Sequence, residues 1–401
     1  MEREVYRLRE ERTGVSLEGS IKPFARVREF TAVRLIENGK AGSALAEGKD
    51  EEGALRLARE TLRFSKEEDY HLPAGCRARW DRTFEVDIED LAGELSSLSD
   101  ELKKRGFSLG ATIELITRRF SVESTAGADV EGSYSLMKAE FEIGGELSFS
   151  LSAGSASRVE LTEFINPYLG LIEGLGEANP PKGNVETIFA PTALYSILLL
   201  PLLWKFRGST ALKSPGMEAK EGETLASSLV TILDDPLDEN SLRYVKADDE
   251  GVEARKNVLI ENGIAKGLLW DSHSAWKASM ESTGNGIRIE ERIIAGSHNL
   301  TLVPGNKTLE GMISEIDRGF IALGLRGANA LDRATGDFSV VVTPALIIER
   351  GEVRGFSRFE LRGNVWELLK NATGIGRELT RAWFDEGFSI SLPFLRTEVV
   401  V

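Results

Sequence analysis

Few side chains in this 401-residue chain could do chemistry. The imidazoles and thiol are limited to His71, His273, His298 and Cys76. A helical zinc motif sets two histidines four apart with a glutamate beside the first. No histidine here lies within a helical turn of another, and Leu72, Ser274 and Asn299 follow them. His71 and Cys76 could meet in a loop, but surface placement is the expectation. Gly106-Phe107-Ser108-Leu109-Gly110 matches G-x-S-x-G. A nucleophile elbow needs a strand before its serine and a helix after it. Here a helix precedes and a strand follows, so a helix cap accounts for the glycines. Between Gly42 and Gly48 stand five residues, and Asp50 follows Lys49; a phosphate loop has four and then Ser or Thr. Gly284 and Gly286 lack the third glycine of a dinucleotide fingerprint. Acids gather at Asp234-Asp235 before Pro236 and at Asp248-Asp249-Glu250 before Gly251. Either set could feed a hard cation, but Asp before Pro or Gly makes an Asx-type turn, and turns are expected.

The elements that must position these groups are organised around Ile188 to Phe206, IFAPTALYSILLLPLLWKF. It is uncharged through Trp204, and its apolar residues run nearly all round a helix. Such a helix is buried on most sides. Pro191 suits its start, and Pro201 should kink or end it. A membrane span needs about 20 apolar residues; this run is shorter and interrupted by two prolines, so a core helix is the reading.

Upstream, Met1 to Arg12 reads as a short amphipathic helix. Phe30 to Ile36 and Lys40 to Ala46 flank Asn38-Gly39 as a hairpin. Asp50 caps a helix to about Ser65, and Asp87 opens another carrying Ile88, Leu91, Leu95, Leu98 and Leu102, closed by Gly106. Ala111–Ile116, Phe120–Glu123, Met137–Ile143 and Leu147–Leu151 are strands, and Arg158–Gly174 is helical. Asn179 to Asn184, with its two prolines and a glycine, is the strongest break. It divides an N-terminal domain of mixed hairpins and helices (1–178) from a C-terminal β-rich domain built around the buried helix (185–401). Beyond it, Asn262-Gly263 and Arg350-Gly351 are hairpin turns, Leu309–Ile316 and Val365–Ala372 short helices, and Ile390–Val401 a last strand. Hairpins without repeating βαβ units give an α+β fold class in both halves.

Composition narrows the partners. Acidic residues number 64 against 49 basic, for a net charge of −15. Nucleic-acid binding needs a basic footprint, so neither DNA nor an anionic membrane is an expected partner. One cysteine forms no internal disulfide, and Met1 to Gly14 is charged throughout; a cytoplasmic protein is the expectation.

Several stretches together resemble one family. They are LVTILDDP (229–236), ADDEGVEARKNVLIENGIAKGLLWD (247–271), ESTGNG (281–286), the Pro304-Gly305 pair, RGF (318–320), TGDFS (335–339) before an ERGE hairpin, and Gly363-Asn364. An R-x-x-x-x-G-K hairpin at Arg34 to Lys40 fits too. The chain resembles the TldD/PmbA family, also called the modulator of DNA gyrase family. The resemblance implies a zinc peptidase scaffold whose metal helix carries H-E-x-x-x-H, with a third, cysteine ligand from near the C-terminus. At the corresponding helix stand Pro191 to Ser196, so Pro191, Thr192 and Ser196 are degenerate metal-site positions. No cysteine stands near Asn371 to Gly374. The resemblance is therefore to the PmbA (TldE-like) branch, whose members pair with a TldD-type subunit. It implies no catalytic residue, bound metal or cofactor in this chain, a site rebuilt as apolar packing, and a role in forming a peptide cleft. Ser282, Thr283, Gly284, Asn285 and Gly286 are candidates for its lining. The alternative is a homodimer binding a peptide or small ligand without peptidase activity.

Overall fold

The N-terminal segment expected as a helix is a strand, β1 (Glu2–Leu17). It lies between β2 (Ile21–Glu37) and β5 (Ser108–Ser124), antiparallel to both. Val5 packs under a helix on one face while Tyr6 and Leu8 pack into a core on the other. The charges that suggested a helical surface are matched to neighbours instead: Arg7 to Glu51 and Glu123, and Glu10 to Arg12 and Arg118. Ladder bonds on both edges and burial on both faces outweigh local helix propensity.

The computed structural model describes residues 1–401, the side chain of Asn329 excepted. β2 turns at Asn38-Gly39, at φ 48° and 74°, into β3 (Lys40–Glu47). Asp50 caps α1 (Glu51–Leu62) by accepting from the Gly53 amide at 2.8 Å. β4 (Arg77–Arg82) and α2 (Ile88–Lys104) follow; α2 starts at Asp87 and buries Leu91, Leu95, Leu98 and Leu102. The two strands expected within 111–123 are one, β5. Its polar Thr117 and Arg118 do not interrupt it, because Arg118 pairs with Glu10 and lies 5.1 Å over the Trp383 ring. β6 (Asp129–Gly144), β7 (Phe149–Ser155) and α3 (Leu161–Ile172) complete this half.

β8 (Asn184–Phe189) takes the first two residues of the apolar stretch, and α4 (Pro191–Phe206) the rest from Pro191. Pro201 does not end α4; the packing around it holds the helix together. Then come α5 (Gly208–Lys213), β9 (Ile232–Asp234), β10 (Asn257–Glu261), β11 (Ile264–Ala265) and α6 (Ser272–Lys277). β12 (Gly286–Ile289) and β13 (Arg292–Ala295) form a separate hairpin, followed by β14 (Asn299–Leu302), α7 (Leu309–Ser314), β15 (Arg318–Ala322) and β16 (Leu325–Arg326). β17 (Asp337–Glu349) and β18 (Glu352–Asn364) pair across Arg350-Gly351. α8 (Val365–Lys370), β19 (Gly374–Ile375), β20 (Thr380–Phe384), β21 (Phe388–Leu392) and β22 (Leu395–Val400) end the chain. The single last strand expected from Ile390 is thus two. They divide at Pro393, which cannot donate to a ladder.

The class is α+β, as expected. A 13-stranded sheet runs β11-β10-β9-β14-β21-β20-β7-β6-β5-β1-β2-β3, with β4 on β6. A seven-stranded sheet runs β16-β17-β15-β8-β22-β19, with β18 on β17. α4 lies in a core drawn from both sheets, including Ile232, Leu300 and Ile390 from the larger, and Phe189, Phe320 and Val342 from the smaller. No described helix is long and apolar enough to cross a membrane.

Candidate functional site

α4 presents two different sides. Ala193, Leu194, Ile197, Leu198, Leu202 and Phe206 are buried in the core. Thr192, Tyr195, Ser196, Leu199, Leu200 and Leu203 follow helical spacing along the other side and line open space. The sequence reading had this place packed shut with hydrocarbon. The structure corrects that: an apolar cleft of about 340 Å³ runs along the helix. Its far wall is Ile287 and Ile289 of β12, Ile294 of β13, and Phe384 and Phe388 from the β20–β21 hairpin. The Phe384 and Phe388 rings stack with centroids 4.9 Å apart, and Tyr195 meets Phe384 edge-on at 5.6 Å. Toward the start of α4 lies a more polar cleft of about 500 Å³, sharing Tyr195 and Ser196 and adding Thr192, Glu142, Arg326 and Thr343.

Of the degenerate positions, Ser196 lines both clefts, Thr192 only the polar one, and Pro191 neither. Pro191 is buried at the first helical position, where a missing N–H costs nothing. The Ser196 hydroxyl donates to the Thr192 carbonyl at 2.8 Å. Thr192 Oγ1 is sealed from solvent without a partner. Near the expected cysteine, Ala372 is buried in the same core as α4. Among the described residues, no group of three or more His, Cys, Asp and Glu side chains is arranged to hold a metal. The ionisable groups lining the apolar part are Tyr195, Arg207 and Glu386. Burial pushes the Tyr195 phenol up. These walls can grip an extended chain; they offer no nucleophile beside a base.

The loop Ser282 to Gly286 lies behind this wall rather than on it, and Ile287 immediately after it reaches the cleft. Thr283 Oγ1 accepts from the Trp270 amide at 2.8 Å and donates to Asn285 Oδ1 at 2.7 Å. Asn285 is fully buried, and its Nδ2 donates to Asp234 at 2.6 Å and to the Gly296 carbonyl at 2.9 Å. The Gly286 amide donates to Asp248 at 2.8 Å, and Gly284 takes φ 71°. The loop thereby fixes the height of β12.

The acid clusters are the struts of this arrangement. Asp235 makes the expected turn, accepting from the Leu237 amide at 3.1 Å, and Asp248 does so toward Glu250 and Val252 at 2.9 Å. Asp234 does more: fully buried, it accepts from Ser297 Oγ and from the amides of His298 and Asn299 at 2.7–2.9 Å. Glu250 accepts from Arg34 and from the Ser272 amide, both at 2.8 Å. Asp249 pairs with Arg243 at 2.9 Å. Burial opposes ionisation of Asp249, but Arg243 and the Arg288 amide overcome it and hold its carboxyl low. Asp248 has no cation of its own; burial and Glu250 push its carboxyl well up. Glu4 bridges Arg34 and Arg288. This network was hidden in the sequence because its members are spread from Glu4 to Asn299.

None of the histidines reaches the cleft lining. His71 is on the surface, 2.5 Å from Glu2, while Cys76 is half-buried. His273 stacks on Trp276 and meets Glu68 at 2.7 Å. His298 is fully buried, with Nε2 2.8 Å from the Gly284 carbonyl. The cleft walls Leu199, Leu203, Ile287, Ile294, Phe384 and Phe388 escaped sequence reasoning. The only local signal was the aromatic pair four residues apart, Phe384 ending β20 and Phe388 starting β21, since the walls meet only in the fold.

Residues 182–400 match the family model described as the PmbA/TldA metallopeptidase C-terminal domain. The chain is similar over its whole length to TldE from Thermococcus kodakarensis, at TM-score 0.89 and 29% identity, covering 100% of this chain and 96% of that one. It is 26% identical over 354 residues to an uncharacterized protein of Methanocaldococcus jannaschii, covering 85% of this chain and 82% of the relative. A metalloprotease of Methanothermobacter thermautotrophicus is 35% identical over 164 residues, covering 40% of this chain and 36% of the relative.

Proposed function

The chain belongs to the TldD/PmbA metallopeptidase family, and on that premise we propose that it is the TldE-like subunit of a two-chain peptidase, contributing the α4 cleft as a peptide-binding wall while a TldD-type subunit supplies the zinc. One observation carries this reading. The helix side that would hold the ion in a TldD-type chain here opens on a cleft through Thr192 and Ser196, with Pro191 buried beside them, at the ligand positions. Neither a proline ring nor two hydroxyls, one already donating to a carbonyl, fits a zinc ion that takes imidazole, thiolate or carboxylate ligands. No catalytic step is therefore assigned to this chain. An extended peptide suits the cleft because hydrocarbon walls take its alternate side chains and nearby strand edges take its backbone. The loop 282–286 serves as support for that wall. A cytoplasmic setting, and the absence of nucleic-acid or membrane contact, belong to the same reading. So does the division into 1–178 and 185–401, which the family match beginning at residue 182 supports.

The test is to purify the chain with and without a TldD-type partner and assay cleavage of unstructured peptides. Chelator-sensitive cleavage should require both chains. Strong cleavage by this chain alone would end the proposal; a stable two-fold dimer that never co-purifies with a TldD-type chain would favour the homodimeric binding protein.

A further inference from the structure

The cleft along α4 is mostly apolar; its charged lining residues are Glu386, in the turn between β20 and β21, and Arg207, at the end of α4. Arg207 joins α4 to α5, with its backbone held from both sides: it bridges to Leu269, and its carbonyl accepts from the Thr210 amide at 2.9 Å. Arg207 is half-buried, and its side chain is treated unlike those of the fully buried arginines. Arg34, Arg118, Arg243 and Arg288 each touch a carboxylate. Among the described residues no carboxylate, Glu386 included, lies within ion-pair distance of Arg207; its Nε is sealed from solvent with no acceptor, as are those of Arg34, Arg243 and Arg288, so the missing carboxylate is the difference. Burial and the neighbouring Arg333 make its charge harder to hold. A cation drawn partly out of water without a partner is costly unless something neutralises it. In a chain of net charge −15, a guanidinium without an ion-pair partner facing a mostly apolar cleft is a place kept for an anion. Arginine grips a carboxylate with two parallel hydrogen bonds, and water-poor walls strengthen that attraction.

We propose that the α4 cleft takes the C-terminal end of a peptide, its last apolar side chains between Leu199, Leu203, Ile287 and Phe388, and its terminal carboxylate on Arg207. The volume, about 340 Å³, is at the small end for ligand pockets and suits a short chain end. This rests on the reading of the cleft as a peptide site and adds which end enters. A medium-chain fatty acid shares the same chemistry, so the test includes one.

The experiment measures binding of a dye-labelled Gly-Ser-Leu-Phe-Leu peptide to the full chain by fluorescence anisotropy, as the free acid and as the C-terminal amide, with decanoate as competitor. The free acid should bind at least tenfold more tightly than the amide. Arg207→Met should erase that difference by weakening only the acid, and Arg207→Lys should restore part of it. The thermal midpoint of Arg207→Met should stay level or rise, since an unpaired, half-buried charge is removed; a fall of several degrees would overturn the claim that Arg207 is unpaired. Equal binding of acid and amide to the unaltered chain would overturn this inference while leaving the peptide site standing. Binding of neither peptide would overturn both. Decanoate held through Arg207 with neither peptide bound would overturn the peptide as the occupant.

Discussion

Replacing Arg34 by methionine deletes the cation shared by Glu4 and Glu250. Arg34 stands on β2, with Nη1 2.8 Å from Glu250, which lies 216 residues away, and Nη2 on Glu4. The side chains of Arg34 and Glu250 are 9% and 0% exposed, so solvent cannot take over. Unit charges about 4 Å apart at an effective dielectric of about 20 attract by about 4 kcal/mol. Removing one partner from a buried pair costs about 3–5 kcal/mol. Glu4 keeps Arg288, so most of the loss arises at Glu250, which retains only the Ser272 amide. Arg34→Met should therefore lower unfolding free energy by about 3–5 kcal/mol. Adding Glu250→Gln neutralises the stranded carboxylate, so the double variant should be more stable than Arg34→Met alone. Urea titrations followed by circular dichroism and by tryptophan fluorescence measure both. A loss below about 1 kcal/mol, the range of exposed pairs, or a double variant less stable than the single, would refute the network as a buried strut.

His298 gives a pH signature. Burial first, and then Arg243, hold its pKa below the ordinary value. The folded imidazole stays neutral while the unfolded chain takes up a proton below about pH 6.5, so stability falls by up to about 1.4 kcal/mol per pH unit as pH drops from there. Between pH 7.5 and 5.5, His298→Gln should lose less urea resistance than the unaltered chain; equal slopes would remove the assignment. Leu202→Ala empties a fully buried position on α4 and should cost about 2–5 kcal/mol, whereas Leu200→Ala, at a site 55% exposed, should change stability by less than about 0.5 kcal/mol. Calorimetric scans should show both outcomes. Exhaustive chelation should leave the thermal midpoint of this chain alone unchanged, and a drop reversed by zinc would contradict the reading of Pro191, Thr192 and Ser196.

What could be read from sequence was what depends on near neighbours. Asn38-Gly39 and Asn262-Gly263 form their turns with positive φ at each residue, because those residue types tolerate that backbone. Asp50 and Asp87 cap their helices through amides two or three residues on. The apolar helix was legible from Pro191 and its uncharged run. What failed depends on distant partners. β1 looks helical until β2 and β5 claim its backbone and Arg118 claims Glu10. Asp234 looks like a turn residue until Asn285 and Ser297 arrive from beyond position 280. The cleft itself was invisible, because Leu199 meets Ile287 and Phe388 only once three separate elements converge on it.

The long sheet is stitched at its middle by one pairing, Arg381 with Gly154, between β20 and β7. Open sheets of more than about ten strands tend to curl or split as their twist accumulates. A lone rung relieves that accumulation: the six strands on one side and the seven on the other can each coil by their own amount. Length is gained without the warping that an unbroken ladder would impose.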